Sequence, residues 1–189
     1  ALALMIAPFI PGVRAQNDYK INDLSCIITA LDDRSARVVM DYNFTWLEAS
    51  TYVNTWNLVL DSSDAHGLRV ESQGMTLSFD AYSTGDATSL VVDLGRNVGT
   101  GQWVALRVEY VTSSNIESIG PERRLSMSIW ESAPIDRVNL TVVVPEGFGY
   151  VSYKPSFLEE PDWGDGRVLT GVGGGALWGT NYNLFASYA

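Results

Sequence analysis

The sequence predicts an all-β protein, namely a single antiparallel β-sandwich, Ig-like or jelly-roll, with an extended apolar arm at its N-terminus. Three observations predict this class. Apolar and polar residues alternate at every second position along most of the chain, which is the period of a half-buried strand. The segments between these runs are rich in Gly, Pro, Asn, Asp and Ser. No stretch combines a helical period with helix caps.

The clearest strand runs from Val38 to Trp46, where apolar side chains occupy every second position. The same pattern recurs along the chain and predicts about nine to eleven strands at a spacing of roughly 8 to 12 residues. The other segments with this pattern are 24–30, 56–60, 75–82, 90–94, 104–110, 125–129, 138–144, 150–153, 167–170 and 182–188.

Two glycine-rich stretches, 95–101 and 171–175, separate or follow these strands. Neither has the strand-to-helix Gly-Lys-Ser arrangement of a phosphate-binding loop. We therefore interpret them as turns and as places where two backbones approach closely.

Length and charge narrow the classes of function. The 189 residues, with 46% apolar and 18% charged residues, suit one globular domain after the arm, so we divide the chain into an arm, 1–16, and a β-sandwich domain, 17–189. A net charge of −10 argues against nucleic acid, whose phosphates attract Lys and Arg. A membrane-spanning helix is not expected either, because it needs roughly 20 apolar residues and the arm is shorter and broken by prolines.

No catalytic device is evident, and we expect a protein that is not an enzyme. His66 is the single histidine and lies in a polar loop, while the single cysteine, Cys26, lies in an apolar strand. We expect no cofactor, although oxygen-rich loops could take calcium. The weak calcium candidates are Asp162 and Asp165 in the acidic loop 159–166, and Asp61 with Asp64.

Two Asn-x-Ser/Thr sequons, Asn43-Phe44-Thr45 and Asn139-Leu140-Thr141, fit the pattern for N-glycosylation. Each asparagine falls on the polar side of its predicted strand. Glycans at Asn43 and Asn139 presuppose export, so the sequons favour an extracellular, cell-surface location.

The arm, 1–16, has two interpretations. Its apolar run and the small-residue segment that follows resemble a secretory signal peptide or its remnant. Its alternation of bulky and small side chains also suits a strand donated to a groove of a neighbouring subunit. In that case Pro11 and Gly12 form the hinge. The side chains that would fill the groove are Leu2, Leu4, Ile6, Phe9 and Ile10.

The arm, the alternating body, the segment Val142–Gly147 that closes a late strand, and the aromatic C-terminal strand together resemble secreted archaeal surface proteins with a β-sandwich ectodomain. More specifically, the chain is similar to thread-like, pilus-like filament subunits that assemble by donor-strand exchange. The resemblance implies an extracellular filament whose only partners are other copies of the chain, as a homopolymer.

Two other classes stay open. A carbohydrate-binding module would use exposed aromatic side chains as a sugar platform. A membrane-tethered ectodomain would explain the same β body with the arm as a removed signal. The aromatic candidates for the platform are Trp103, Trp130, Trp163 and Trp178.

Overall fold

The computed structural model describes residues 19–49, 51–131, 133–161, 167–176 and 181–189. This described part of the chain contains fourteen strands and no helix, so the predicted all-β class is confirmed. The arm, with its candidate groove-filling residues and its hinge, lies outside the described residues. None of the described residues belongs to a helix long and apolar enough to cross a membrane.

Seven strands form one large sheet in the order β13-β11-β1-β2-β8-β4-β5. Its centre is built from long strands whose buried and accessible residues alternate, as the sequence predicts for β2. The bounds are β1 Tyr19–Ala30, β2 Ala36–Trp46, β4 His66–Ser72, β5 Met75–Thr76, β8 Trp103–Thr112, β11 Ile135–Val143 and β13 Val168–Ala176.

The remaining strands form a four-stranded sheet, β12-β14-β10-β9, and a three-stranded sheet, β3-β7-β6. The four-stranded sheet contains β9 Ile116–Ile119, β10 Glu122–Trp130, β12 Tyr150–Lys154 and β14 Asn181–Tyr188. The three-stranded sheet contains β3 Val53–Leu60, β6 Phe79–Thr84 and β7 Ala87–Val98.

The arrangement differs from a single antiparallel sandwich in two respects. There are three sheets, and one pair of neighbours in the large sheet, β1 and β11, is parallel. Parallel neighbours need a long crossover, and here the chain from β2 to β10 supplies it. That chain contributes four strands to the large sheet, all three strands of the three-stranded sheet, and β9 and β10 of the four-stranded sheet. Alternation identifies which side chains face inward, but it carries no information about which strand lies beside which.

One continuous core lies between the large sheet and the two smaller ones. Trp56 of the three-stranded sheet stacks on Phe44 of β2, with ring centroids 5.4 Å apart, and meets Tyr42 edge-on at 4.8 Å. From the four-stranded sheet, Met127 lies against Tyr110 of β8, whose hydroxyl is 3.9 Å from the methionine sulfur. Both smaller sheets therefore cover the same face of the large sheet.

The opposite face of the large sheet carries many polar and charged side chains, with a few exposed apolar ones such as Ile27 and Trp103. Its outward positions carry cross-strand ion pairs between β2 and β8: Arg37 with Glu109 at 2.7 Å, and Arg107 with Asp41 at 3.0 Å. The outward residues are intermediate or exposed, whereas the inward residues of the same strands are buried. We call this side of the sheet the open face.

A carboxylate joins two loops at one end of the large sheet. Asp64, in the loop between β3 and β4, accepts hydrogen bonds from the Thr112 hydroxyl at 2.6 Å and from the backbone N–H groups of Ser113 and Ser114 at 2.9 and 3.2 Å. Partial burial acts to raise the pKa of Asp64, but these hydrogen bonds outweigh it and hold the pKa well below its usual value.

Replacing Asp64 with alanine is expected to lower the free energy of unfolding by about 1 to 2 kcal/mol, because several hydrogen bonds are lost at a solvent-exposed position. The contribution is present above pH 3.8, the ordinary pKa of the carboxyl, and disappears as the pH falls below it, since the folded state holds the ionised form. Urea unfolding at pH 7 and pH 3 measures both effects.

The matched control is Asp32→Ala, at an exposed aspartate in the turn that follows β1. An equal loss of stability in the two variants would show that the Asp64 hydrogen bonds do not hold the loops together.

Candidate functional site: a polar hollow on the open face

The open face contains a cavity of ≈ 490 Å³, which we call the polar hollow. It lies over the middle of the large sheet, across five adjacent strands and the turn that follows β4. The residues that line it are Asp23, Ser25, Asp41, Tyr42, Asn43, Glu71, Gln73, Gly74, Ala105, Leu106, Arg107 and Asn139.

The hollow arises from the lengths of the outward side chains. Short side chains, among them Asp23, Ser25 and Ala105, line it on β1 and on β8, which flank β2. Longer side chains, such as Glu71 and Arg107, line it on β4 and β8. A flat sheet face with this gradient of side-chain length becomes concave without any change of backbone.

Hydrogen bonds and an ion pair fix the orientation of the lining groups. Asp41 accepts from Arg107 through both oxygens, at 3.0 Å from Nε and 3.1 Å from Nη2, in the two-pronged geometry that suits a guanidinium. On the other side of the hollow, Asn139 Nδ2 donates to Asp23 Oδ1 at 2.9 Å. Glu71 pairs with Arg69 at 2.5 Å.

The charges of the lining do not balance. Three carboxylates, those of Asp23, Asp41 and Glu71, face one guanidinium, that of Arg107. Arg107 engages Asp41 and Arg69 engages Glu71, so Asp23 is the carboxylate of the lining that has no ion pair within the described residues. Its charge favours cations over anions in the hollow.

A second, smaller hollow of ≈ 310 Å³ shares Gln73 with the first. Trp103, at the start of β8, lines it and is 52% exposed. The guanidinium of Arg96 donates to the carbonyl oxygen of Trp103 at 3.0 Å. Four tryptophans were proposed from the sequence as a sugar platform. Of these, Trp103 has an exposed side chain that lines the second hollow, and Trp130 is the last residue of β10. Trp163 and Trp178 lie outside the described residues.

Both asparagines of the sequons line the polar hollow. Asn43 is exposed on β2, and Asn139 is partly buried on β11. The sequence separates them by almost a hundred positions, and the parallel pairing of β1 with β11 brings them to the two sides of Asp23.

Of the aspartates that the sequence suggested as calcium ligands, the two in the described part of the chain are not among the residues that line the polar hollow. Asp162 and Asp165 lie outside the described residues. Asp64 is occupied by the hydrogen bonds that join the two loops, and Asp61 Oδ2 accepts from the backbone N–H of Ser128 at 2.5 Å. Within the described part of the chain, no group of three or more His, Cys, Asp or Glu side chains could hold a metal ion.

His66 and Cys26 lie in different environments. His66 opens β4 and is exposed, with Nδ1 3.0 Å from the carbonyl oxygen of Asp64. Cys26 is fully buried under the large sheet, and burial raises the pKa of its thiol to about 12, so it is not a thiolate at neutral pH.

The sequence reasoning missed one buried ionisable group. Glu131, between β10 and β11, is 4% exposed and hydrogen bonds to Tyr42, while within the described residues its Oε1 has no partner. Burial raises the pKa of Glu131 to about 8, against a smaller lowering by the Tyr42 hydrogen bond. The only sign of this burial in the sequence is that Glu131 follows the apolar strand β10. That sign is weak, because a glutamate at the end of a strand is normally solvated.

Comparison with solved structures shows what the fold resembles. An M1 zinc metallopeptidase from Deinococcus radiodurans bound to Tyr-Ser-Ala has a TM-score of 0.53 and 12% identity, over 92% of this chain and 43% of that one. Leukotriene A4 hydrolase from Saccharomyces cerevisiae has a TM-score of 0.54 and 10% identity, over 90% of this chain and 29% of the other. A nutrient-binding protein from Legionella pneumophila has a TM-score of 0.60 and 9% identity, over 92% and 68%.

These likenesses concern the fold, and this chain spans less than half of the peptidase and the hydrolase. No protein-family model and no curated protein sequence matches the chain.

The comparison contradicts two predictions from the sequence. The filament subunit, with its homopolymer of identical chains, is wrong, because the solved structures that this fold resembles include a protease, a metallopeptidase and a hydrolase. The prediction that the chain is not an enzyme is contradicted by the same structures. The sequence misled us because alternating strands and an apolar arm are common to many β proteins and say nothing of sheet order.

Proposed function

We propose that the chain is the β-sheet domain of a two-domain peptidase of the M1 zinc metallopeptidase kind. One observation carries this proposal. The chain aligns over 92% of its own length with a structure described as a two-domain M1 zinc metallopeptidase, at a TM-score of 0.52 and 10% identity, and it spans 43% of that structure. The aligned part is a little under half of the two-domain enzyme, which is the size expected for one of its two domains.

The residues of this chain do not fit a catalytic zinc ion. Such a site in a peptidase takes two histidines and a carboxylate, and the sequence contains one histidine, His66. The described residues also lack a cluster of potential metal ligands. In the proposed enzyme, metal binding and peptide cleavage therefore belong to a second domain.

The proposed role of this chain is to provide a rigid wall beside that second domain. A seven-stranded sheet with its inward face covered by two further sheets has a continuous core, and it holds its loops and its open face in fixed positions. A domain that helps to orient a substrate for a neighbouring catalytic domain must hold its contacting residues in fixed positions.

We expect the native polypeptide that contains this chain to hydrolyse Tyr-Ser-Ala, the peptide bound by the Deinococcus enzyme. Removal of divalent metal by a chelator should abolish hydrolysis, and added Zn²⁺ should restore it. Release of tyrosine, followed by chromatography, is the measurement.

The 189-residue chain on its own serves as the comparison. If it alone hydrolysed the peptide, catalysis would not lie in a second domain. If the native polypeptide, loaded with zinc, hydrolysed neither this peptide nor a panel of tripeptides, the peptidase proposal would fail.

A further inference from the structure

We propose that the polar hollow binds a primary ammonium group, supplied either by the amino terminus of a peptide or by a lysine side chain, through Asp23, Asn43 and Asn139. This site goes beyond the peptidase proposal and does not depend on it. All three residues belong to this chain, and their ligand can be measured without any hydrolysis.

The three side chains come from three neighbouring strands. Asp23 lies on β1 and is opposite Asn43 of β2 in the antiparallel register. Asn139 lies on β11, on the other side of β1, and its Nδ2 reaches Asp23 Oδ1 at 2.9 Å. Since adjacent strands are about 4.8 Å apart, one carboxylate stands between two carboxamides on the open face.

Oxygen atoms remain for a ligand after the internal hydrogen bonds are made. Asn139 uses its nitrogen to bind Asp23, so its Oδ1 is left as an acceptor. Asn43 Oδ1 receives one long contact, 3.5 Å from Asn22 Nδ2, and the second oxygen of Asp23 is not used by any hydrogen bond within the described residues. These three oxygen acceptors line the same cavity, and they equal in number the three N–H donors of an ammonium group.

Asp23 also has no cation of its own in the described part of the chain. The four ion pairs there join Lys20 to Asp136, Arg37 to Glu109, Arg69 to Glu71, and Arg107 to Asp41. The one positive charge in the hollow, Arg107, is held at Asp41 through both oxygens. A carboxylate that is partly buried and lacks a counter-ion favours a cationic ligand.

The size of the hollow selects the kind of cation. At ≈ 490 Å³ it accommodates several residues of a peptide, far more than a bare metal ion. Asp23 is flanked by two neutral amides, and the other two carboxylates of the hollow, Asp41 and Glu71, are held in ion pairs. This donor set is poor for a divalent metal and good for an ammonium group.

The test is a calorimetric or NMR titration of the unglycosylated protein, because a glycan on Asn43 or Asn139 would fill the hollow. Three probes separate the sources of ammonium: Tyr-Ser-Ala, its N-acetylated form, and N-acetyl-lysine amide. We expect Tyr-Ser-Ala to bind at least about tenfold more tightly than its acetylated form, because acetylation removes the charge and two of the donors. Binding of N-acetyl-lysine amide alone would identify a lysine side chain as the source.

The variant Asp23→Asn keeps the shape and the hydrogen bond from Asn139 but removes the charge. It should weaken the binding of whichever ammonium probe binds by about tenfold or more. The control is Glu109→Gln, which removes a carboxylate from the same open face outside the hollow and should leave the affinity within about twofold. Thermal unfolding of both variants checks that they fold.

Two results would overturn the proposal. One is equal affinity for the free and the acetylated peptide together with no binding of the lysine derivative. The other is an equal loss of affinity in Asp23→Asn and Glu109→Gln, which would mean that only the overall negative charge of the chain attracts the probe. Either result leaves the peptidase proposal standing, because hydrolysis by the native polypeptide is measured separately.

Discussion

Replacing Gly171 with alanine is expected to lower the free energy of unfolding by about 3 kcal/mol, at the upper end of the cost of overpacking. Gly171 lies in β13, at the edge of the large sheet, opposite the buried Leu140. A Cβ atom added there would stand 2.1 Å from the carbonyl oxygen of Phe157 and 2.8 Å from its carbonyl carbon. The clash is with backbone, so no change of side-chain rotamer relieves it.

The segment that carries Phe157 is not free to move away. Glu159 and Thr170 exchange two backbone hydrogen bonds, each of 2.9 Å, which tie this segment to β13. The Phe157 ring also lies across Gly173, where an added Cβ would come within 2.8 Å of the ring. Gly173→Ala should therefore cost less than Gly171→Ala, because a ring can shift where a backbone cannot.

Urea unfolding of Gly171→Ala, Gly173→Ala and a control measures these differences. The control is Gly149→Ala, since nothing lies within 4 Å of a Cβ at that position. If Gly171→Ala proved as stable as Gly149→Ala, the Phe157 segment would not cover β13.

The same glycines show where sequence reasoning succeeds and where it stops. Close backbone approach was predicted for the stretch 171–175, and the Phe157 backbone provides it at Gly171, whereas at Gly173 the close neighbour is the Phe157 ring. The stretch was not recognised as part of strand β13, Val168–Ala176, because glycine disfavours strands and its reason for being there lies far away in the sequence.

Inward and outward faces follow from the sequence, but neighbours do not. The alternation from Val38 to Trp46 places Tyr42 inward and Asn43 outward, as the structure has them. The pairing of Asp23 with Asn139 joins residues 116 positions apart across a parallel strand pair, and no local pattern encodes it. The polar hollow spans five neighbouring strands, of which this pair is one, so it depends on the order of strands in the sheet and could not be predicted from local patterns.

Glu131 illustrates the same limit in the core. It follows β10, whose apolar residues pack under the large sheet, and its carboxyl lies between the sheets against Tyr42 of β2. The residues adjacent to Glu131 in the sequence do not indicate burial. Packing between the sheets, against β2, is what removes the carboxyl from water.

Stability should fall as the pH rises from about 4.5 to about 8. Burial raises the pKa of Glu131 from 4.5 to about 8, so in this window the unfolded chain releases a proton that the folded state keeps. The contribution of Glu131 to the free energy of unfolding is fully present below pH 4.5. It declines by about 1.4 kcal/mol for each pH unit above that, so about 5 kcal/mol is lost by pH 8, and it is constant at higher pH.

Glu131→Gln tests the cause, because glutamine retains the shape and can still accept the Tyr42 hydrogen bond but never ionises. We expect the variant to unfold at nearly the same urea concentration as the native protein at pH 4.5 and to be several kcal/mol more stable at pH 8. The control is Glu117→Gln, at an exposed position in β9, which should leave the slope unchanged. A native protein whose stability is level between pH 5 and 8, or a Glu131→Gln variant with the native slope, would place the titrating group elsewhere.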